Sequence, residues 1–277
     1  MTNGPRPQVD YDRLAPTYDE RFEDNQRSGT AVALLDLVEG LSEQLGRAPR
    51  VLEVGCGTGH WLDELATVCG QAYGLDLSAG MLEQASKRPG QLHLVRGRAG
   101  RLPFADRSFD LVYAVNAIHH YQEPRRFVTE ARRLLRPGGR LAVIGMDPHD
   151  RKESWYVYRY FEGIYETDRA RFPSWAEIQA WMAEESLSDV SCRIVDHYGG
   201  TMVGRAVLDD PFLRQNSCSQ LALMSETEYQ AGLRRIHAAL DEAEARGETL
   251  TFTVDTNLAL IEGCAPSFHS STLPIFP

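Results

Sequence analysis

Glu53, Gly55, Gly57, Gly59 and Asp76 are spaced as a set that can hold a ribose-bearing ligand. Glycines at alternate positions leave the backbone bare, so both a tight turn and a closely approaching ligand are tolerated. Asp76 follows Gly59 by seventeen residues and closes the apolar run Ala72-Tyr73-Gly74-Leu75. A carboxylate at such a strand end can accept both hydroxyls of a ribose. Further along, Asn116-Ala117-Ile118-His119-His120-Tyr121 gathers an amide, two imidazoles and a phenol. Histidine titrates near neutrality, so His119 or His120 could take a proton from a reacting group. Near the start, Tyr18 lies in Tyr11-Asp12-Arg13-Leu14-Ala15-Pro16-Thr17-Tyr18-Asp19. An aromatic face there could attract a cation by about 0.5–2 kcal/mol.

The elements that must position these groups are short. Val51 to Val54 reads as a buried strand, and the glycine loop follows it. Leu62, Leu65 and Ala66 then recur at helical spacing. A strand, glycine loop and helix in this order suit two cofactor classes, and the glycine spacing separates them. A dinucleotide fingerprint requires G-x-G-x-x-G. Here His60 stands where the last glycine would fall, so a nicotinamide dehydrogenase is disfavoured.

The observed pattern, acid-x-G-x-G-x-G from Glu53 to Gly59, resembles motif I of class I S-adenosylmethionine-dependent methyltransferases. The Tyr-Asp-x-Leu-Ala-x-x-Tyr-Asp string resembles the segment before motif I in the ubiquinone/menaquinone-biosynthesis type (methyltransferase type 11), where it folds over the cofactor. Leu102 to Val115 and the turn Arg136-Pro137-Gly138-Gly139 into Arg140–Ile144 are similar to that family as well. The match runs from about residue 10 to 147. It implies an α/β fold: a Rossmann-like seven-stranded mixed sheet, order 3-2-1-4-5-7-6, with helices on both faces and an added cap. It also implies S-adenosylmethionine as cofactor, S-adenosylhomocysteine as product and Tyr18 near the sulfonium. The cofactor residues it implies are Tyr18, Glu53, Gly55, Cys56, Gly57, Gly59, Asp76, Leu77, Met81, Arg98, Ala99, Asn116 and Ala117. The catalytic candidates are His119, His120 and Tyr18. One position departs from the pattern. Family members often show Gly-Asp-Ala after the third strand, with the aspartate on the adenine amino group. This chain has Gly97-Arg98-Ala99, and an arginine cannot accept that bond. The Asn-Pro-Pro-Tyr string of enzymes that methylate exocyclic amines of DNA or glutamine amides is also missing after Asn116.

The remaining elements follow from periodicity and caps. A helix is expected from about Thr30 to Leu45, another from Ser78 to a stop at Pro89-Gly90, and a third strand over Leu92–Arg96. Glu123-Pro124 opens a helix with Phe127, Val128, Ala131, Leu134 and Leu135 inward. Trp155, Tyr156, Tyr158, Tyr160, Phe161 and Tyr165 form either a packed helix or the wall of a pocket for a flat, apolar substrate. A sixth strand is expected over Val190–Tyr198 and a seventh over Leu250–Ile261. About 50 residues separate them, including a helix over Glu226–Ala245, and they read as an inserted cap or dimerisation element. The chain is thus expected to be one domain, with a core over about 46–150, 174–198 and 250–264. The expected substrate cap is 9–45, 151–173 and 199–249.

The chain has 277 residues, 43% of them hydrophobic, enough for one large α/β core with insertions. A net charge of -10 argues against a phosphate-backbone partner, and the methyltransferase reading implies a small-molecule acceptor. Lysine occurs only at Lys87 and Lys152 amid abundant arginine, which reads as a bacterial, GC-rich coding bias. Residues 1 to 8 are polar, and no apolar run reaches about 18 residues, so neither a signal segment nor a membrane span is expected. Five cysteines without a C-x-x-C pair suggest free thiols in a reducing cytoplasm and no metal site. A cytoplasmic monomer or homodimer is expected. The sequence favours a methyltransferase for a small aromatic or polycyclic metabolite, acting at oxygen or carbon. The competing readings are a non-methylating enzyme of the same fold and an RNA or protein methyltransferase.

Overall fold

The computed structural model describes residues 9–22, 28–149 and 151–267. The polar start, residues 1–8, and residues 268–277 lie outside the described residues. The chain opens with a short helix α1 (Tyr11–Leu14) and a 3-10 turn (Ala15–Phe22), then α2 (Gly29–Leu45). Parallel strands and helices alternate next: β1 (Arg50–Val54), α3 (His60–Leu65), β2 (Gln71–Asp76), α4 (Ala79–Ala85), β3 (Leu92–Arg96), β4 (Phe109–Val115), α5 (Pro124–Leu134) and β5 (Leu135–Gly145). After β5 come α6 (Val157–Tyr160), α7 (Ile164–Arg171), α8 (Trp175–Glu184), β6 (Ser188–Val203), α9 (Ser219–Ala222), α10 (Glu226–Ala245) and β7 (Thr251–Cys264).

The seven strands lie in the order β3-β2-β1-β4-β5-β7-β6, as the family resemblance implies. β7 runs antiparallel to β5 and β6, while the rest of the sheet is parallel. Period-two alternation along the strands explains why helices cover both faces. On β4, Leu111, Tyr113 and Val115 join α2 and α3 in one cluster, while Val112 and Ala114 join α5 and α8 in the other. Every residue of β4 is buried, which a strand covered on both sides requires. Pro at the first position of α5, a capping box on α8 at Ser174 and Glu177, and another on α10 at Ser225 and Glu228 set the helix starts.

Two expectations are corrected. β6 and β7 run well past their expected ends and pair as a long ribbon, Val203 opposite Thr251. The aromatic run after β5 does not line a pocket over the fifth strand. Trp155, Tyr156, Tyr158, Tyr160, Phe161 and Tyr165 are buried with Val207, Leu213, Leu221, Ile236, Leu240 and Phe252 in a separate core. The insertion and the aromatics bury each other. Among the described residues, no helix is long and apolar enough to cross a membrane.

Candidate active site

A cavity of about 530 Å³ opens at the carboxyl ends of β1, β2 and β4, where open α/β sheets take their ligands. Its floor is the glycine loop. Gly55 has φ of +72°, and a Cβ there would lie 2.6 Å from the Ala117 Cβ, so only glycine fits. Gly57 has φ of +52° and faces open space, with the Tyr18 ring the nearest atoms at 4.0 Å. Asp76 ends β2 and lines the cavity. Its carboxylate accepts the backbone N–H of Gly57 at 2.9 Å and that of Ser78 at 2.9 Å. Each oxygen keeps a second lone pair, which is what two ribose hydroxyls would use. Burial pushes the Asp76 carboxyl up, and those backbone bonds oppose the shift.

The roof is the segment from Val9 to Tyr18, strapped down at three places. Asp12 accepts from the Ser78 hydroxyl at 2.6 Å and from the Gly80 N–H at 2.8 Å, at the start of α4. Asp19 takes the Thr58 hydroxyl and the Arg88 guanidinium beside the glycine loop. The Tyr11 hydroxyl lies 2.6 Å from the Nε2 of His120. The Tyr11 ring meets Tyr18 edge-on, with centroids 6.0 Å apart. The side walls include Leu77, Met81, Arg98, Ala99, Asn116, Ala117 and Tyr121. Asn116 turns the chain out of β4 at φ of +48°, a conformation asparagine tolerates better than most residues, and its N–H donates to the Ile144 carbonyl. The Tyr121 hydroxyl donates to the Val54 carbonyl at 2.7 Å and braces the loop from behind.

Of the residues expected to hold a cofactor, Tyr18, Gly55, Gly57, Asp76, Leu77, Met81, Arg98, Ala99, Asn116 and Ala117 meet on this cavity. Glu53, Cys56 and Gly59 lie behind its wall. Glu53 is 1% exposed and accepts the Tyr113 hydroxyl at 3.1 Å. It sits two residues before Gly55, where the pleat points it inward toward Tyr113. Cys56 is buried, and Gly59 serves as the cap of α3. Of the two imidazoles, only His120 reaches the cavity. His119 is 7% exposed and stacks on Phe172, centroids 3.8 Å apart at 12°. Burial holds its pKa well below the usual value, with the charges of His120 and Arg171 adding to this. A neutral ring enclosed in this way is poorly placed to take a proton from a ligand. Tyr11, Asp12 and Arg88 are not among the site residues expected from the sequence. For Tyr11 and Asp12 the signal was present in the Tyr-Asp string, but nothing local says where the strap lands. At the β3 end, Arg96, Arg98, Arg101 and Arg126 line the cavity together with Glu123. A base lying there meets mainly guanidinium donors and the backbone around Ala99.

Residues 52–143 match the family described as a methyltransferase domain. The chain carries a methyltransferase domain of this family. Over 113 residues the chain is 41% identical to the phthiotriol/phenolphthiotriol dimycocerosates methyltransferase of Mycobacterium leprae (strain TN), covering 39% of this chain and 42% of that protein. The chain thus spans less than half the length of that relative. The demethylmenaquinone methyltransferase of Renibacterium salmoninarum is 28% identical over 201 residues, covering 66% of this chain and 84% of that protein. Among solved structures, Haemonchus contortus phosphoethanolamine N-methyltransferase 2, in complex with phosphomonomethylethanolamine and S-adenosylhomocysteine, shares the fold. It is 19% identical with a TM-score of 0.56, covering 92% of this chain and 58% of that chain. The match ends at residue 143, within β5, so the segment from α6 to α10 lies beyond the matched residues.

Proposed function

We propose that this chain is an S-adenosylmethionine-dependent methyltransferase acting on a small aromatic or polycyclic metabolite at oxygen or carbon. The observation that carries the reading is the cavity itself, where bare glycine backbone, the Asp76 carboxylate and a tyrosine-bearing strap converge. Its volume of about 530 Å³ suits a nucleoside-sized ligand with room for part of an acceptor. Bound S-adenosylmethionine supplies a methyl group on a positively charged sulfur. Asp76 holds the ribose hydroxyls, and Gly55 and Gly57 let the ligand lie against the main chain. Tyr18 offers an aromatic face beside the glycine loop. Strap and loop together exclude water and align donor with acceptor, and alignment of this kind contributes about 7–11 kcal/mol to lowering a barrier. His120, paired with Tyr11 at 2.6 Å, takes or holds the acceptor's proton where the acceptor is a phenol or an acidic carbon. Two of the relatives, a phthiotriol/phenolphthiotriol dimycocerosates methyltransferase and a demethylmenaquinone methyltransferase, support a lipid or small-metabolite acceptor.

Calorimetric titration with S-adenosylhomocysteine tests the cofactor, and mass spectrometry of S-adenosylhomocysteine released with a panel of phenols and hydroxyquinones tests the reaction. Micromolar binding and acceptor-dependent release are expected. Tighter binding of NAD, or turnover of an acceptor without S-adenosylhomocysteine, would reject the proposal.

A further inference from the structure

The cap does not line the cavity, yet a column of rings joins the two. Phe172 follows α7 directly and is 4% exposed. Its ring stacks on His119 at 3.8 Å, and His119 in turn meets His120 at 3.9 Å with a tilt of 48°. His120 carries the Tyr11 hydroxyl, and Tyr11 abuts Tyr18 on the strap. At its other end the column is anchored in the cap. The Arg171 guanidinium sits 5.3 Å from the Phe172 ring centroid and pairs with Asp168 at 2.8 Å. Asp168 also accepts the Tyr158 hydroxyl at 2.9 Å, inside the aromatic core. A second contact runs beside the column, where Ala222 of α9 packs with Leu14 and Ala15 of the strap.

We infer that Phe172 and His119 are positioning residues through which the cap holds His120 toward Tyr11 and so keeps the strap closed over the cofactor cavity. The inference rests on the reading of that cavity given above. The physical argument is one of shape. His120 lies on a short 3-10 turn (Ile118–His120), which fixes a side chain less firmly than a long helix does. A flat ring packed against it removes its alternative rotamers. His119 contributes a face to this stack and has no access to the ligand. A phenylalanine at 119 would therefore serve nearly as well, whereas a branched aliphatic side chain of similar volume would not. The cap then acts on the site without touching the ligand, and loosening the cap opens the strap.

The test uses the full chain and S-adenosylhomocysteine as probe. Its dissociation rate is measured by stopped flow, and the His120 imidazole is followed through its titration by NMR. His119→Phe is expected to keep both within about twofold of the wild type. His119→Leu and Phe172→Ala are expected to speed dissociation about tenfold, since strap closure is read mainly in the off-rate. They should also shift the His120 titration. Circular dichroism and melting temperature confirm that each variant is folded, and His119→Leu, which keeps the core filled, serves if Phe172→Ala does not fold. The inference is overturned if His119→Phe is as damaging as His119→Leu, because the imidazole nitrogens then matter. It is overturned equally if His119→Leu leaves dissociation and the His120 titration unchanged. A wild-type chain that fails to bind S-adenosylhomocysteine removes the cavity reading and this inference with it. Binding by the wild type with unaltered variants removes only the inference.

Discussion

Asp76 and Glu53 are two carboxylates at adjacent strand ends with opposite tasks. Asp76 faces the cavity and already accepts two backbone N–H groups, so its place is fixed before any ligand arrives. Asp76→Ala is expected to weaken S-adenosylhomocysteine at least tenfold, because hydrogen bonds to a charged group are worth about 1.5–3 kcal/mol each. Calorimetric titration of the folded variant reads this directly, and an unchanged affinity would remove Asp76 from the site. Glu53 is enclosed. Burial drives its carboxyl well above the ordinary value of 4.5, the Tyr113 hydroxyl opposes the shift and the Asp76 charge adds to it. A carboxyl raised in the folded state stabilises the fold below its unfolded pKa and loses that contribution as pH rises through the folded pKa. At pH 8 the folded chain must keep a proton there or bury a charge, and either costs stability. Glu53→Gln is therefore expected to raise the melting temperature at pH 8, by about 2–4 °C for each kcal/mol recovered. The gain should shrink toward zero as pH falls below 4.5, where both states are protonated. A variant less stable than the wild type at pH 8 would show instead that the ionised carboxylate is stabilised in the fold.

At the scale of elements, the glycine loop and the strap close on each other. The loop was legible because its chemistry is local: glycine spacing, a strand before it, a helix after it and an acid at the next strand end. The strap was legible as a string but not as a position, since Asp12 reaches Ser78 across a separation of 66 positions and Tyr11 reaches His120 across one of 109. Sequence periodicity carries no term for such contacts. Which of His119 and His120 faces the cavity was equally hidden, because the ring that covers His119, Phe172, lies more than fifty residues away in sequence. Gly57→Val tests the loop. The space above Gly57 is open to Tyr18, so the side chain itself is accommodated, but it fills the cofactor's place and sits at a φ of +52° that valine rarely adopts. Loss of S-adenosylhomocysteine binding with the sheet intact is expected by titration and circular dichroism; tight binding retained would make the loop only a turn. Asp12→Ala tests the strap. It should speed S-adenosylhomocysteine dissociation several-fold with little change in melting temperature, and an unaltered off-rate would mean that Asp12 merely caps α4.

At the scale of the whole molecule, two cores share one sheet. The strand order followed from the family resemblance, and the buried β4 from its apolar run. The second core was not readable, because aromatic residues packed on each other and aromatic residues lining a pocket have the same sequence signature. Here β6 and β7 extend beyond β5 as a ribbon, and Phe252 on that ribbon is buried among the cap's side chains. Gly232 on α10 shows how closely the cap is assembled. A Cβ there would lie 2.2 Å from the Phe161 ring, itself fully buried and stacked toward Tyr229. Two effects compete in Gly232→Ala. Helix propensity favours alanine by about 0.8–1.0 kcal/mol. Overpacking against a ring that cannot retreat costs about 1–3 kcal/mol. The second is larger, so the substitution is expected to destabilise the cap even though α10 as an isolated helix would gain. Because the cap has its own core, the loss should be confined to it. Hydrogen exchange should quicken in α6 and α10 while β1 and β4 keep wild-type protection. Pairing Gly232→Ala with Phe161→Leu, which withdraws the ring, should recover part of the loss by a double-mutant cycle. Faster exchange across β1 and β4 as well would show that cap and sheet unfold as one unit.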